Sequence, residues 1–203
     1  MSVENILIES SNVGSLIIAR KIGKEKFKKF LTKLNLLNTL NFELNEVGTP
    51  HKFRWDKCKL ETVSFGHGIT TTPLQAAAAY ASITNGGFLI KPTLQIKNKK
   101  FKKERIIKED TSKKINKILR KVVSGKNGTA SLANVFGYEI GGKTGTSKKY
   151  VDDNKNINTF ISIFPSKQPK YVLLVMLNEP QIASHITYNY RGMKIKGNRD
   201  EAG

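Results

Sequence analysis

The sequence predicts a domain of the α/β class in its α+β form, with helices concentrated early and strands late. Three observations carry that prediction. Apolar residues recur at helical spacing in several stretches before residue 124. Short strand-like runs come later, at residues 138–147, 159–164 and 171–177. The longest strongly apolar run, "YVLLVML" at 171–177, has seven residues, far below the roughly 20 of a membrane helix, so it reads as a strand.

Taken in order, residues 3–8 read as the end of a helix that begins outside this chain, broken by "SSN". Residues 13–22 are apolar and helical and are closed by Gly23. Residues 24–37 come next, with Phe27, Phe30, Leu31 and Leu34 at helical spacing. Residues 38–60 lack periodicity and carry Gly48, Pro50 and Trp55, which predicts a long ordered loop. In "TTTPLQAAAAYASITNGG", Thr72 suits a helix cap and Pro73 the first helical position, and the alanine-rich run should stop at Asn85-Gly86-Gly87. Residues 88–90 read as a short strand stopped by Pro92, and 98–110 as a charged hairpin or surface loop. Residues 111–123 form a helix with Ile115, Ile118, Leu119, Val122 and Val123 inward, and 129–134 one short helical turn. The three strands come next, the first two separated by a polar loop at 148–158. The final segment from Asn178 shows no periodicity.

The chain has 203 residues, enough for one domain or a large piece of one, with 35 basic and 16 acidic side chains and a net charge of +19. Such an excess suggests an anionic partner. The lysines are spread through "KEKFKKFLTK", "KNKKFKKERIIK" and "KKINKILRK" rather than gathered on one element, and no nucleic-acid-binding signature accompanies them, so no nucleic acid is expected. A lone cysteine, Cys58, excludes an internal disulfide and reads as a small buried hydrophobe. His51, His67 and His185 have no ligand spacing, so neither a metal nor another cofactor is implied. His67 is read as structural.

One stretch carries chemistry. Residues 137–144, "GYEIGGKT", fit the phosphate-cradling G-x-x-x-x-G-K-[ST], but that loop works only when a helix comes directly after it. After Lys143 the chain reads "TGTSKKYVDDNKN", with no apolar stripe, so a strand is the better reading. Gly141, Gly142 and Gly145 make little sense in a buried strand unless another backbone or a ligand must come close. Period-two alternation puts Thr144 and Thr146 on one side, two hydroxyls suited to a carboxylate, with the Lys143 charge beside them. On this segment alone, a substrate-accepting edge strand and a glycine-rich sheet corner stand equal. A second motif, Ser10-Ser11-Asn12, reads by itself as a plain helix cap. S-x-N with K-T-G more than a hundred residues later is the pairing found in penicillin-binding proteins and related β-lactamases.

With those motifs, "ESSNVGSLIIARKIG", "SFGHGITTTPLQAAAAYASITNGGFLIKP" and "GGKTGTS" resemble the transpeptidase domain of class B penicillin-binding proteins, the cell-division D,D-transpeptidases above all. "YVLLVMLNEP" is similar to that family's strand leading into an acidic turn. The resemblance covers roughly residues 3–182. It implies a β-lactamase/D,D-peptidase-like fold, an antiparallel sheet packed between helices with a helical lobe, incomplete at both ends, all 203 residues forming one partial domain.

The resemblance also implies a reaction and roles. A serine attacks the D-Ala–D-Ala carbonyl of a peptidoglycan stem peptide, and an amine from a neighbouring strand resolves the acyl-enzyme. Ser10 would relay a proton to the leaving nitrogen, Asn12 would bond the substrate amide, and Lys143 would hold Ser10. Thr144, Gly145 and Thr146 would bind the substrate, the two threonines its terminal carboxylate, with the Thr146 N–H forming half of an oxyanion hole. The attacking serine of the family lies in S-x-x-K upstream of S-x-N, and no Ser here is followed three residues later by Lys. T-x-x-K occurs at 49–52, 111–114 and 146–149, each downstream of S-x-N. The expectation is a piece of a longer, membrane-anchored protein at the periplasmic face of the inner membrane, with a degenerate homologue as the alternative. β-Lactams, a glycan polymerase and divisome membrane proteins are the implied partners. A β-lactamase-like or penicillin-sensing hydrolase and a basic module for nucleic acid or anionic surfaces are the competing classes.

Overall fold

The computed structural model describes residues 1–56, 58–96, 104–149, 155–181, 187–190 and 193–196. Helices α1 (Val3–Ile8), α2 (Asn12–Ile22), α3 (Lys24–Lys33), α4 (Lys59–Ser64), α5 (Pro73–Thr84) and α6 (Glu109–Ser124) precede strands β1 (Gly141–Lys148), β2 (Asn156–Phe164), β3 (Tyr171–Asn178), β4 (Thr187–Tyr190) and β5 (Met193–Lys196). The chain divides into two compact units, Ser11–Ile115 and Met1–Ser10 with Asn116–Gly203. Among the described residues no helix is long and apolar enough to cross a membrane.

The 11–115 unit is helical. Gly23 ends α2 at φ 83 and starts α3. The expected helix over 24–37 stops at Lys33, because Asn35 turns left-handed at φ 57 and Leu34 is buried as the closing residue. α4 begins on the last two residues of the stretch expected to be loop, 38–60, and its first residue, Lys59, ties the next turn by donating to the Gly68 carbonyl at 2.7 Å. Cys58 precedes α4 at φ 69 and is exposed, which corrects its reading as a buried hydrophobe. His67 stacks on Phe65, also at the surface.

α5 forms as its sequence dictates. The Thr72 hydroxyl accepts from the Gln75 N–H at 3.2 Å, and the Gln75 side chain reaches back to the Thr72 N–H at 3.0 Å, a reciprocal capping box with Pro73 in the first turn. Gln75 is buried, and its amide nitrogen also donates to the Asn35 and Asn38 carbonyls, each at 2.7 Å. One side chain thus caps a helix and anchors the loop leaving α3. At the other end, Asn85 accepts from the N–H groups of Gly87 and Phe88 at 3.1 and 2.8 Å. Gly87, at φ 90, leaves no room for a Cβ, which would sit 2.2 Å from the Ile107 carbonyl oxygen. The expected strand at 88–90 is only a single bridge between Phe88 and Arg105, with the Arg105 guanidinium 4.0 Å over the Phe88 ring. Residues 98–103 of the charged excursion expected at 98–110 lie outside the described residues, while its end enters α6 at Glu109.

The second unit packs helix against sheet. α1 carries a cap at its first turn, the Ser2 hydroxyl accepting from the Asn5 N–H. β1, β2 and β3 form an antiparallel sheet in that order, with β1 and β3 as its edges among the described residues. α6 starts at Glu109, two residues before its expected start, and its stripe is as anticipated: Leu119, Val122 and Val123 are buried. Val122, Val123 and Ala130 form a core joined by Ile8, Ala133, Ile140 and Phe160. The short turn at 129–134 is a 3₁₀ turn, Ser131–Ala133. β1 begins at Gly141 rather than 138, since Gly137 (φ 82) and the Tyr138 N–H bonded to the Val135 carbonyl hold a turn before it. The β4–β5 hairpin, Thr187 opposite Lys196, arises where no periodicity was visible.

Replacing Gln75 by Leu should lower stability by about 1–3 kcal/mol, since it removes half of a capping box and the two hydrogen bonds that tie the Asn35 and Asn38 carbonyls to a buried amide. Urea unfolding reads this as a lower midpoint with an unchanged slope.

Candidate active site

The S-x-N segment divides its labour. Ser11 is the cap of α2, its hydroxyl accepting from the Gly14 N–H at 3.1 Å, while its carbonyl accepts from the Ser15 N–H and hydroxyl. That leaves Ser10 free of capping. Ser10 closes the turn after α1 in the left-handed region, at φ 59, a conformation an L-residue adopts only when its surroundings hold it there. The partner of its side chain is 133 residues away: the Lys143 ammonium donates to Ser10 Oγ at 2.8 Å. The same ammonium donates to the Thr144 carbonyl at 3.0 Å. Asn12 opens α2 in the other unit and is exposed.

Lys143 reaches Ser10 because β1 is braced from behind. The Arg120 guanidinium, from α6, donates to the Ile140 carbonyl at 2.8 Å and to Asn134 Oδ1 at 3.0 Å, fixing the entry to the strand. Gly141 lets β1 lie on α6, since a Cβ there would meet the Arg120 N at 3.0 Å and the Leu119 carbonyl carbon at 3.1 Å. At Gly142 a Cβ would meet the Ile161 carbonyl and the Phe160 ring, each at 2.7 Å. Those two glycines serve packing within the chain. Gly145 is different: nothing lies within 4 Å of where its Cβ would be, and both Gly145 and Thr146 are exposed on an edge strand.

Burial pulls the Lys143 ammonium down from its ordinary 10.5 to about 8. At neutral pH it remains chiefly protonated, yet it gives up its proton far more readily than a surface lysine. While it donates to Ser10 Oγ, the Ser10 hydroxyl proton is left to point elsewhere. The arrangement is therefore a proton store coupled to a hydroxyl, beside an open strand edge.

The sequence reading missed two further contributors. Thr129, just before the 3₁₀ turn, accepts a hydrogen bond from the Thr144 hydroxyl at 3.1 Å. Glu179 sits at φ 53 after β3 and pairs with Lys149 and with Lys155 (3.1 Å), one carboxylate holding both ends of the segment joining β1 to β2. The two lysines lower the Glu179 carboxyl further below its usual range. Only the Asn-Glu-Pro turn hinted at Glu179. Nothing local in the sequence pointed to Thr129. Among the described residues no three His, Cys, Asp or Glu side chains converge as metal ligands would.

The chain matches the family model of the penicillin binding protein transpeptidase domain over residues 1–198. It is 31% identical over 195 residues to the "Probable peptidoglycan D,D-transpeptidase FtsI" of Caulobacter vibrioides, which covers 89% of this chain and 33% of that relative. The apo transpeptidase domain of Burkholderia pseudomallei penicillin-binding protein 3 is similar in structure, with TM-score 0.82 and 28% identity over 89% of this chain and 57% of that one. Penicillin-binding protein 3 from Mycobacterium tuberculosis, solved in complex with ampicillin, gives TM-score 0.79 and 25% identity over 88% of this chain and 45% of that one. The chain spans about a third of the length of the curated relatives it matches. A family match over nearly every residue, together with K-T-G on an edge strand and its lysine bonded to the S-x-N serine, identifies the chain as a member of the penicillin-binding protein transpeptidase domain family.

Proposed function

We propose that this chain is part of a peptidoglycan D,D-transpeptidase that works by serine acyl transfer on stem peptides ending in D-Ala–D-Ala. The observation that carries the reading is the 2.8 Å hydrogen bond from Lys143 to Ser10 across 133 residues of chain. A hydroxyl with a free proton, fed by a lysine whose proton is loosely held, suits delivery of a proton to the leaving amine nitrogen of D-alanine. The edge of β1 suits an extended peptide laid alongside it, with the space above Gly145 for its backbone and the Thr144 and Thr146 hydroxyls for its carboxylate. The Thr146 N–H is the oxyanion donor in this reading, and loss of one such donor costs about 2.7–4 kcal/mol of barrier. Asn12 bonds the substrate amide.

The attacking serine comes from an S-x-x-K segment that these 203 residues do not contain. In this reading the whole protein is anchored in the inner membrane, faces the periplasm, cross-links the septal wall, and works beside a glycan polymerase and divisome membrane proteins. The relatives named as D,D-transpeptidases and the relative solved with ampicillin support the substrate class and β-lactam binding.

A fluorescent penicillin should label the full-length protein on gel electrophoresis and leave the 203-residue chain unlabelled; label on the short chain would move the nucleophile inside it. Gly145→Val should keep the melting temperature within about 2 °C, as an added side chain meets open space, while cutting labelling of the full-length protein by at least tenfold. Lys143 binds its proton less tightly folded (about 8) than unfolded (10.5), so between those values the unfolded chain holds more protons. Its contribution to stability therefore rises with pH across that window, and Lys143→Met should flatten the rise in urea midpoint between pH 8 and 10.5.

A further inference from the structure

The geometry points to Thr129 as a positioning residue for carboxylate recognition by Thr144, an inference that rests on the acyl-transfer reading. Thr129 is held on both sides. Gly128 before it is pressed onto the end of α6, where a Cβ would lie 2.1 Å from the Val122 carbonyl oxygen. Ala130 after it is buried in the core with Val122 and Val123, and its N–H donates to the Val122 carbonyl at 3.2 Å. A backbone so fixed brings the Thr129 side chain within reach of β1, where its hydroxyl oxygen lies 3.1 Å from that of Thr144.

Two hydroxyls sharing one hydrogen bond leave one proton unshared. Without ligand, Thr144 donates to Thr129. When a carboxylate arrives at the strand edge, Thr144 turns its proton to the anion and Thr129 donates to the Thr144 oxygen in its place. No proton changes owner; two O–H bonds rotate. The result is a chain of two hydrogen bonds ending on the carboxylate, each polarising the next, with the Thr144 rotamer held throughout. Thr129 touches no substrate and acts only through Thr144.

The test uses the full-length protein and measures second-order acylation by benzylpenicillin and by its methyl ester, which lacks the anionic carboxylate. Wild type should prefer the acid. Thr129→Val, which keeps the shape and removes the hydroxyl, should lower the rate constant for the acid roughly three- to tenfold while leaving the ester within twofold, so that the preference shrinks. Thr129→Ser should restore it, and Thr129→Ala should repeat the Val result if Val disturbs folding, judged by melting temperature. An unchanged acid-to-ester ratio in both Thr129→Val and Thr129→Ala overturns the inference and leaves the acyl-transfer reading standing. A wild-type protein that reacts with neither compound overturns both.

Discussion

A partly desolvated ammonium is the constraint around which the sheet-bearing unit is arranged. Burial costs Lys143 hydration and loosens its hold on the proton, and two oxygens accept from its ammonium in place of water, Ser10 Oγ and the Thr144 carbonyl. Each acceptor has to be supplied by something rigid. Ser10 is held left-handed at the end of α1, and Thr144 is paired to Phe160 in the middle of the sheet. Removing either support would leave a half-buried charge with one acceptor in place of two, so the geometry of the helix end and of the strand are coupled through this one side chain.

Glycine does three different jobs on a single strand. At Gly141 the absent side chain admits the backbone of α6, and at Gly142 it admits a neighbouring carbonyl and ring of the same sheet. Only at Gly145 does the missing Cβ face open space. The distinction matters chemically: the first two set where β1 lies, and the third sets what can lie on β1. Arg120 and the Glu179 clamp add polar restraints at the two ends of the strand, so β1, exposed over residues 145–148, is flanked by fixed points.

The helical unit solves a separate problem by similar means. Its buried Gln75 satisfies four neighbouring groups, the N–H of Thr72, the hydroxyl of Thr71 and the carbonyls of Asn35 and Asn38. A buried amide fully matched in this way stabilises one loop conformation over its alternatives, where an apolar side chain of similar volume would not discriminate.

The amino-acid order alone determined the local features: the capped start and glycine-rich end of α5, the inward stripe of α6, the three strands, and the two motifs that place the chain in its family. Those signals are local because capping, helical periodicity and strand alternation act over a few residues. Where the reading slipped, the deciding contact was distant or conformational. Asn35 ends α3 by turning left-handed, the bridge at Phe88 never grows into a strand, and Cys58 lies at the surface because its left-handed turn starts α4. Only the tertiary structure decided that Lys143 meets Ser10 across 133 residues, that Thr129 backs Thr144 across 15, and which of three glycines is vacant space. Such pairings depend on how α6 and the sheet pack, a sum of many weak contacts that leaves no periodic trace in the chain.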